Sequence, residues 1–166
     1  MPSFIFTRPQ LREFAEKTVR WPGHWQGVQT LKECGLLDIG PVLFNGAKIV
    51  PREFLLSIIT PRLRARDGDT DVCVMYNTLT GKKGGKNVKI EYFMWDVADT
   101  KNNISAMARV TGFPVALGLR LLLNGEIKEK GIVPPEDCIK GNIYSWFMKE
   151  LRKRNIRILE VSNLKK

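Results

Sequence analysis

The sequence has few of the features that mark a secreted, metal-binding or membrane-spanning protein. Its three cysteines, Cys34, Cys73 and Cys138, lie far apart and form neither a CxxC pair nor a cysteine–histidine spacing, so neither a disulfide framework nor a zinc site is expected. The first residues, MPSFIFTRPQ, lack a long apolar core, and the most apolar run, FPVALGLRLLL, is short and interrupted by Arg120. We expect a soluble cytoplasmic protein without metal or membrane contact.

Motifs for self-contained catalysis and for dinucleotide binding are also absent. The chain has one histidine, His24, and no GxSxG or cysteine–histidine protease signature. The glycine-rich GKKGGKN lies between two strand patterns, whereas a phosphate loop joins a strand to a helix. It therefore predicts a hairpin turn, and we expect no Rossmann βαβ unit in this chain.

Composition predicts one globular domain over residues 1–166. Hydrophobic residues make up 43% of the chain and charged residues 27%, with no repeat or low-complexity tract. A net charge of +10 makes nucleic acid a possible partner. The cations fall in separate clusters, near residues 62–66, 82–86 and 152–154, and none belongs to an RNP-like or zinc-finger motif. Solvated basic surface is the favoured interpretation, and nucleic-acid binding is the alternative.

The first third of the chain predicts an extended arm or strand at residues 11–20, a turn and two short helices. Pro22 and Gly23 break regular structure, and apolar residues at helical spacing follow from His24 to Cys34 until Gly35 ends the pattern. A second helix is predicted over residues 51–60, opened by one proline and closed by Pro61.

The remaining two thirds predict a sheet and two further helices. DVCVMYNTLT and NVKIEYFMWDVAD are strand-like arms around GKKGG, and one face of the second arm is apolar. A long helix is expected over residues 105–123, capped by Asn102 or Asn103, ended by Gly125, and kinked or split at Pro114. NIYSWFMKELRKRN predicts an amphipathic helix, and IRILEVSN a strand. The fold class is α+β, with a mixed or antiparallel sheet covered by helices.

Two short segments concentrate the residue types used in binding sites. In KTVRWPGHW, Arg20 offers a planar fork of donors to a carboxylate, and a structural ion pair is its alternative role. His24 is suited to proton transfer or to helix capping, and Trp21 and Trp25 to a core or a lid.

The second segment is AMARVTGFP. Arg109 and Thr111 flank a proline-induced kink whose freed backbone groups would face a ligand. Arg109 has an alternative partner in an acid such as Asp96 or Asp99.

Read together, three blocks in order carry a family resemblance. KTVRWPGHWQGVQTLKECGLLD, SAMARVTGFPVALGLRLLLNGEIKEKGIVPPEDC and MKELRKRNIRI resemble the C-terminal catalytic domain of the saccharopine dehydrogenase and lysine 6-dehydrogenase family. The resemblance spans residues 10–160. It implies an α+β domain that supplies the amino-acid pocket and much of a homodimer contact through its sheet. NAD or NADP would be bound mainly by a Rossmann domain, absent here and supplied in cis or in trans, so this chain alone should not transfer hydride.

The resemblance also implies roles for particular residues. Arg20 matches the arginine of the family's RYxG motif and is the best candidate for binding the substrate carboxylate, with Lys17 and Thr18 beside it. Gly23 would allow close approach of the substrate, and His24 would relay a proton or contact the substrate.

A second block and two departures complete the comparison. Arg109 and Thr111 match the AMAKxxG or AMARTTG block and are weaker substrate-binding candidates. Trp21 replaces a tyrosine and Val110 a threonine, which leaves the substrate open between lysine, saccharopine and their relatives. A cofactorless ligand-binding or regulatory module is the alternative function.

Overall fold

The computed structural model describes residues 3–163, and its Cα packing divides the chain into two compact units, residues 1–67 and 68–166. The described part of unit 1 contains three helices and one hairpin. Its elements are α1 (Ser3–Thr7), α2 (His24–Glu33), β1 (Val42–Phe44), β2 (Ala47–Ile49) and α3 (Pro51–Leu63). Whether the two units act as the single domain expected from composition stays a prediction.

The helices of unit 1 begin and end where local chemistry requires. After α2, the amide of Gly35 donates to the carbonyl of Lys32, and that of Leu36 to the carbonyl of Leu31, which is a Schellman ending with Gly35 at φ 73°. Pro51 occupies the first turn of α3, as predicted. The predicted end at Pro61 is wrong: a proline in the last turn removes only one hydrogen bond, so α3 continues to Leu63.

Residues 11–20 form neither a helix nor a strand, so the strand alternative for this segment is wrong. The β1–β2 hairpin turns through Asn45 and Gly46, at φ 49° and 81°. Both values are positive, which the Asn-Gly pair favours in a two-residue turn.

The described part of unit 2 contains one three-stranded sheet with helices packed against it. Its elements are β3 (Val72–Lys83), β4 (Lys86–Val97), α4 (Ala106–Leu123), α5 (Pro135–Cys138), α6 (Gly141–Lys153) and β5 (Ile158–Ser162). The strand order is β3-β4-β5, and both pairings are antiparallel. The predicted hairpin is confirmed: Lys83 pairs with Lys86 across a turn made by Gly84 and Gly85, both at positive φ.

The two faces of this sheet differ in burial. The inner face contributes Met94 to a core with Leu117 of α4, Leu151 of α6 and Ile156. The outer face is the set of apolar side chains that the register places on the other side and that remain exposed. It comprises Val72, Val74, Tyr76, Phe93, Trp95, Val97, Leu159 and Val161.

The long helix α4 runs unbroken through Pro114, which excludes the predicted split. Neither predicted cap is used, because Ser105 is the N-cap and its hydroxyl accepts from the amide of Ala108 at 3.0 Å. The carboxylate of Asp71, just before β3, accepts from the amides of Ala106 at 2.5 Å and Met107 at 3.0 Å. Three free amides of the first turn are thereby satisfied, and α4 is joined to the sheet.

Among the described residues, α4 is the one helix long and apolar enough to cross a membrane, with a mean hydropathy of 1.4. Its packing favours a different role. Leu117 and Leu121 are buried, and Arg109 is buried against an acid of β4. We interpret α4 as the central helix of unit 2.

We expect Asp71→Asn to destabilise unit 2 by about 0.5–2 kcal/mol at neutral pH, because only one of the two accepting oxygens is kept and the negative charge at the start of α4 is lost. The hydrogen bond from Met107, the largest cause, lowers the pKa of Asp71 below its ordinary value of 3.8. The stabilisation is therefore fully present above that value and is lost as pH falls through the lower, folded pKa. Urea unfolding of both proteins at neutral and acidic pH measures this, and a difference that persists below the folded pKa would contradict it.

Candidate functional site

The candidate site in unit 1 is built on a tight turn that starts α2. The amide of His24 donates to the carbonyl of Trp21 at 3.2 Å, and the amide of Gly27 then donates to the carbonyl of Gly23 at 2.9 Å. Gly23 is the N-cap at φ 86°, where a side chain would strain the backbone although the space around it is open. The predicted turn at Pro22 and Gly23 is confirmed, and it places His24 in the first turn of a helix.

The polar side chains before this turn are available to a ligand. Lys17, Thr18 and Arg20 lie on the exposed segment without regular structure. Within residues 3–163, none of the three side chains makes a hydrogen bond or an ion pair. Two cations three residues apart, together with the amino end of α2, make this part of the chain suitable for an anionic group.

Aromatic rings surround the turn, but they are not buried. The His24 and Trp25 rings meet edge to face, with centroids 5.0 Å apart. Trp21 is 78% exposed and Trp25 is 57% exposed, so their predicted place in the core is wrong for this chain, and a role as a lid stays a prediction. In the rest of the described part of unit 1, Leu55 is the one buried apolar residue. Large apolar side chains left exposed in this way are typical of a surface that contacts another protein segment.

In unit 2, the side chain of Arg109 is held by two acids and a backbone carbonyl of the protein itself. Its Nε lies 2.9 Å from Oδ2 of Asp96, its Nη2 donates to the carbonyl of Arg154 at 2.7 Å, and its Nη1 lies 3.7 Å from Asp99. The guanidinium also stands over the Phe113 ring at 5.7 Å. The geometry favours the ion pair with Asp96 and Asp99 as the role of this arginine, and its direct contact with substrate stays a prediction.

This ion pair belongs to a network that joins α4, β4 and α6. Arg154 stands over the same Phe113 ring at 5.8 Å, and its Nη1 lies 2.9 Å from the carboxylate of Glu150. Lys153 and Arg154 hold the pKa of Glu150 at about 2. The sequence analysis named Asp96 or Asp99 as an alternative partner of Arg109, but it missed the hydrogen bond to the carbonyl of Arg154, which lies 45 residues later in the chain.

The remaining predicted residue, Thr111, bonds locally. Its hydroxyl donates to the carbonyl of Met107 at 2.6 Å, one helical turn earlier, and its side chain is exposed. The predicted site residues thus fall into two sets. Lys17, Thr18, Arg20, Gly23 and His24 lie within eight residues of unit 1, and Arg109 and Thr111 lie on α4 of unit 2.

The described residues do not provide a dinucleotide cradle. Such a cradle needs parallel strands linked through a glycine turn and a helix, and every strand pairing within residues 3–163 is antiparallel. Gly84 and Gly85 form a hairpin turn instead of a phosphate loop. No group of three His, Cys, Asp or Glu side chains in this part of the chain is placed to hold a metal ion.

Comparison with known proteins gives a family match, and curated relatives are among the similar proteins. Residues 5–156 match the family described as "Saccharopine dehydrogenase C-terminal domain". The chain is 23% identical over 128 residues to a saccharopine dehydrogenase [NADP(+), L-glutamate-forming] of Pyricularia oryzae, covering 73% of this chain and 27% of that protein. It is 26% identical over 127 residues to the mitochondrial alpha-aminoadipic semialdehyde synthase of Bos taurus, covering 74% of this chain and 13% of that protein. The chain therefore spans about a quarter or less of the length of these relatives.

Proposed function

Because the chain belongs to the saccharopine dehydrogenase C-terminal domain family, we propose that it binds the amino-acid substrate of an NAD(P)-dependent oxidoreductase. The reaction would oxidise the C–N bond of a lysine- or saccharopine-type amino acid, or form that bond reductively. The observation that carries the proposal is the exposed Arg20, without a partner in residues 3–163, directly before the turn that starts α2.

The residues of unit 1 divide the work of binding as follows. Arg20 receives the substrate carboxylate on its planar fork, and Lys17 and Thr18 add further donors. Gly23 leaves the approach to the helix end free of a side chain. His24 contacts the substrate amine or relays its proton, which an imidazole can do near neutral pH.

Hydride transfer needs a group that these residues do not hold. The nicotinamide nucleotide, when bound, accepts or supplies the hydride, and it belongs mainly to another domain, joined in cis or in trans. This chain's share is to bind and orient the amino acid. The test is amine-dependent reduction of NAD or NADP by the longest polypeptide that contains this sequence.

We further propose that two copies of the chain pair through the outer face of the sheet. Its eight apolar side chains form a continuous exposed surface, larger than isolated surface residues would give. Beside these side chains, Lys89 and Glu91 form an ion pair at 3.0 Å. A two-fold axis would bring each face against its copy.

We expect Trp95→Lys to convert this dimer into a monomer, because each interface would then bury two ammonium groups against apolar surface. Trp95 is 55% exposed in the chain, so the substitution leaves the core intact. Sedimentation equilibrium of the purified protein measures the change, and Ile132→Lys, at a fully exposed loop position, is the matched control. A wild-type monomer, or a Trp95→Lys dimer of unchanged affinity, would contradict the proposed interface.

A further inference from the structure

A cavity of about 250 Å³ lies in unit 2 where the end of α4 meets the start of α6. The residues that line it are Arg120, Leu121, Asn124, Glu126, Asn142, Ile143 and Trp146. The cavity is smaller than the roughly 300–1,000 Å³ typical of sites for drug-sized ligands, so it suits a small molecule. It shares no residue with the proposed substrate site in unit 1.

The positive charge of this cavity is Arg120. Its guanidinium stands over the Trp146 ring at 5.4 Å, and its nearest acid, Glu150, is 4.0 Å away. That carboxylate is already held more closely by Lys153 at 2.5 Å and Arg154 at 2.9 Å. Three cations therefore share one acid, and Arg120 keeps a positive charge available to a ligand.

The negative charge of the cavity is Glu126, which follows the end of α4. Within the described part of the chain its carboxylate makes no hydrogen bond or ion pair, and neither do the side-chain amides of Asn124 and Asn142. The cavity thus has a cation that shares Glu150 with two other cations, and an anion and two amides that make no hydrogen bond or ion pair with a described protein group. Leu121, Ile143 and Trp146 supply apolar wall between them.

We propose that this cavity binds a small zwitterion, namely an α-amino acid with an apolar side chain. Its carboxylate pairs with Arg120 and its ammonium group with Glu126, and the two asparagines bond the remaining polar atoms. The alkyl side chain lies against Trp146. This gives the protein a second amino-acid site, built on residues other than those proposed to hold the substrate.

The test uses L-leucine and two analogues that each lack one charge. Titration calorimetry compares leucine with 4-methylpentanoate, which lacks the ammonium group, and with 3-methylbutylamine, which lacks the carboxylate. We expect each analogue to bind at least about tenfold more weakly, because each loses one charge-assisted contact. Equal binding of all three compounds, or no binding of leucine, would overturn the proposal.

Variants locate the site and separate it from the proposed function. Arg120→Met keeps an apolar side chain over Trp146, and Glu126→Gln changes an exposed residue without a described partner, so both should fold. We expect each to weaken leucine binding at least about tenfold, while Arg12→Met, at an exposed arginine outside both proposed sites, leaves it unchanged. If Arg20→Met abolishes leucine binding and Arg120→Met and Glu126→Gln do not, the amino acid is bound in unit 1. The cavity proposal then fails, and the proposed function stands.

Discussion

Replacing Arg109 by methionine is expected to lower the free energy of unfolding of unit 2 by about 3–5 kcal/mol, the range for breaking a buried ion pair. The substitution leaves Asp96, 6% exposed, as a buried carboxylate without its guanidinium partner. It also removes the donor to the carbonyl of Arg154 at the end of α6. Urea unfolding followed by circular dichroism measures the loss.

Two further variants show whether the loss comes from the ion pair. Lys149→Met removes an exposed cation of α6 and should change the free energy of unfolding by no more than about 0.5 kcal/mol. The double variant Asp96→Leu with Arg109→Met should recover much of the loss, because no buried charge is left unpaired. A loss below about 1 kcal/mol for Arg109→Met would contradict a structural role. Arg109 would then be free to bind substrate.

Replacing Arg20 by alanine in the assembled enzyme is expected to weaken binding of the amino-acid substrate about 10- to 150-fold. This corresponds to a charge-assisted hydrogen bond worth about 1.5–3 kcal/mol. Arg20→Lys should recover only part of the affinity, because an ammonium group does not reproduce the planar fork. The measurement is the dissociation constant of the substrate, with the free energy of unfolding as a check on folding.

The matched control for Arg20 is Arg12→Ala, an exposed arginine in the same irregular segment. Its loss should leave substrate affinity within about twofold, because screening by salt makes distant surface charges weak. If Arg12→Ala and Arg20→Ala reduce substrate affinity equally, the loss comes from the lower positive charge of the chain and not from a specific contact with Arg20. Unchanged affinity in Arg20→Ala would exclude the proposed carboxylate contact.

Features fixed by neighbouring residues were predictable. Gly35 ends α2, Pro51 opens α3, and Gly84 and Gly85 form the turn of the hairpin. Each of these positions requires a φ value that the residue itself favours, so the sequence alone indicates it. The β1–β2 hairpin was missed although Asn45-Gly46 is a strong hairpin signal. Its strands have only three residues each, too few to show alternation.

Features that depend on distant residues were not predictable from local patterns. Ser105 and not Asn102 caps α4 because Asp71, more than thirty residues earlier, fixes where the first turn begins. The choice of Asp96 over a substrate as the partner of Arg109 depends on the packing of α4 against β4. The exposure of Trp21 and Trp25 was not predictable either, because the preference of tryptophan for buried positions does not say whether a given segment packs against a core.

The most direct test of the central claim is amine-dependent reduction of nicotinamide nucleotide. The longest polypeptide that contains this sequence is assayed with NAD and with NADP, against lysine and saccharopine, beside the 166-residue chain alone. We predict turnover of one of these amino acids by the longer protein, loss of substrate affinity in its Arg20→Ala variant, and no turnover by the chain alone. A longer protein that binds neither amino acid and reduces neither nucleotide would contradict the assignment of this chain as the substrate-binding part of an amine dehydrogenase.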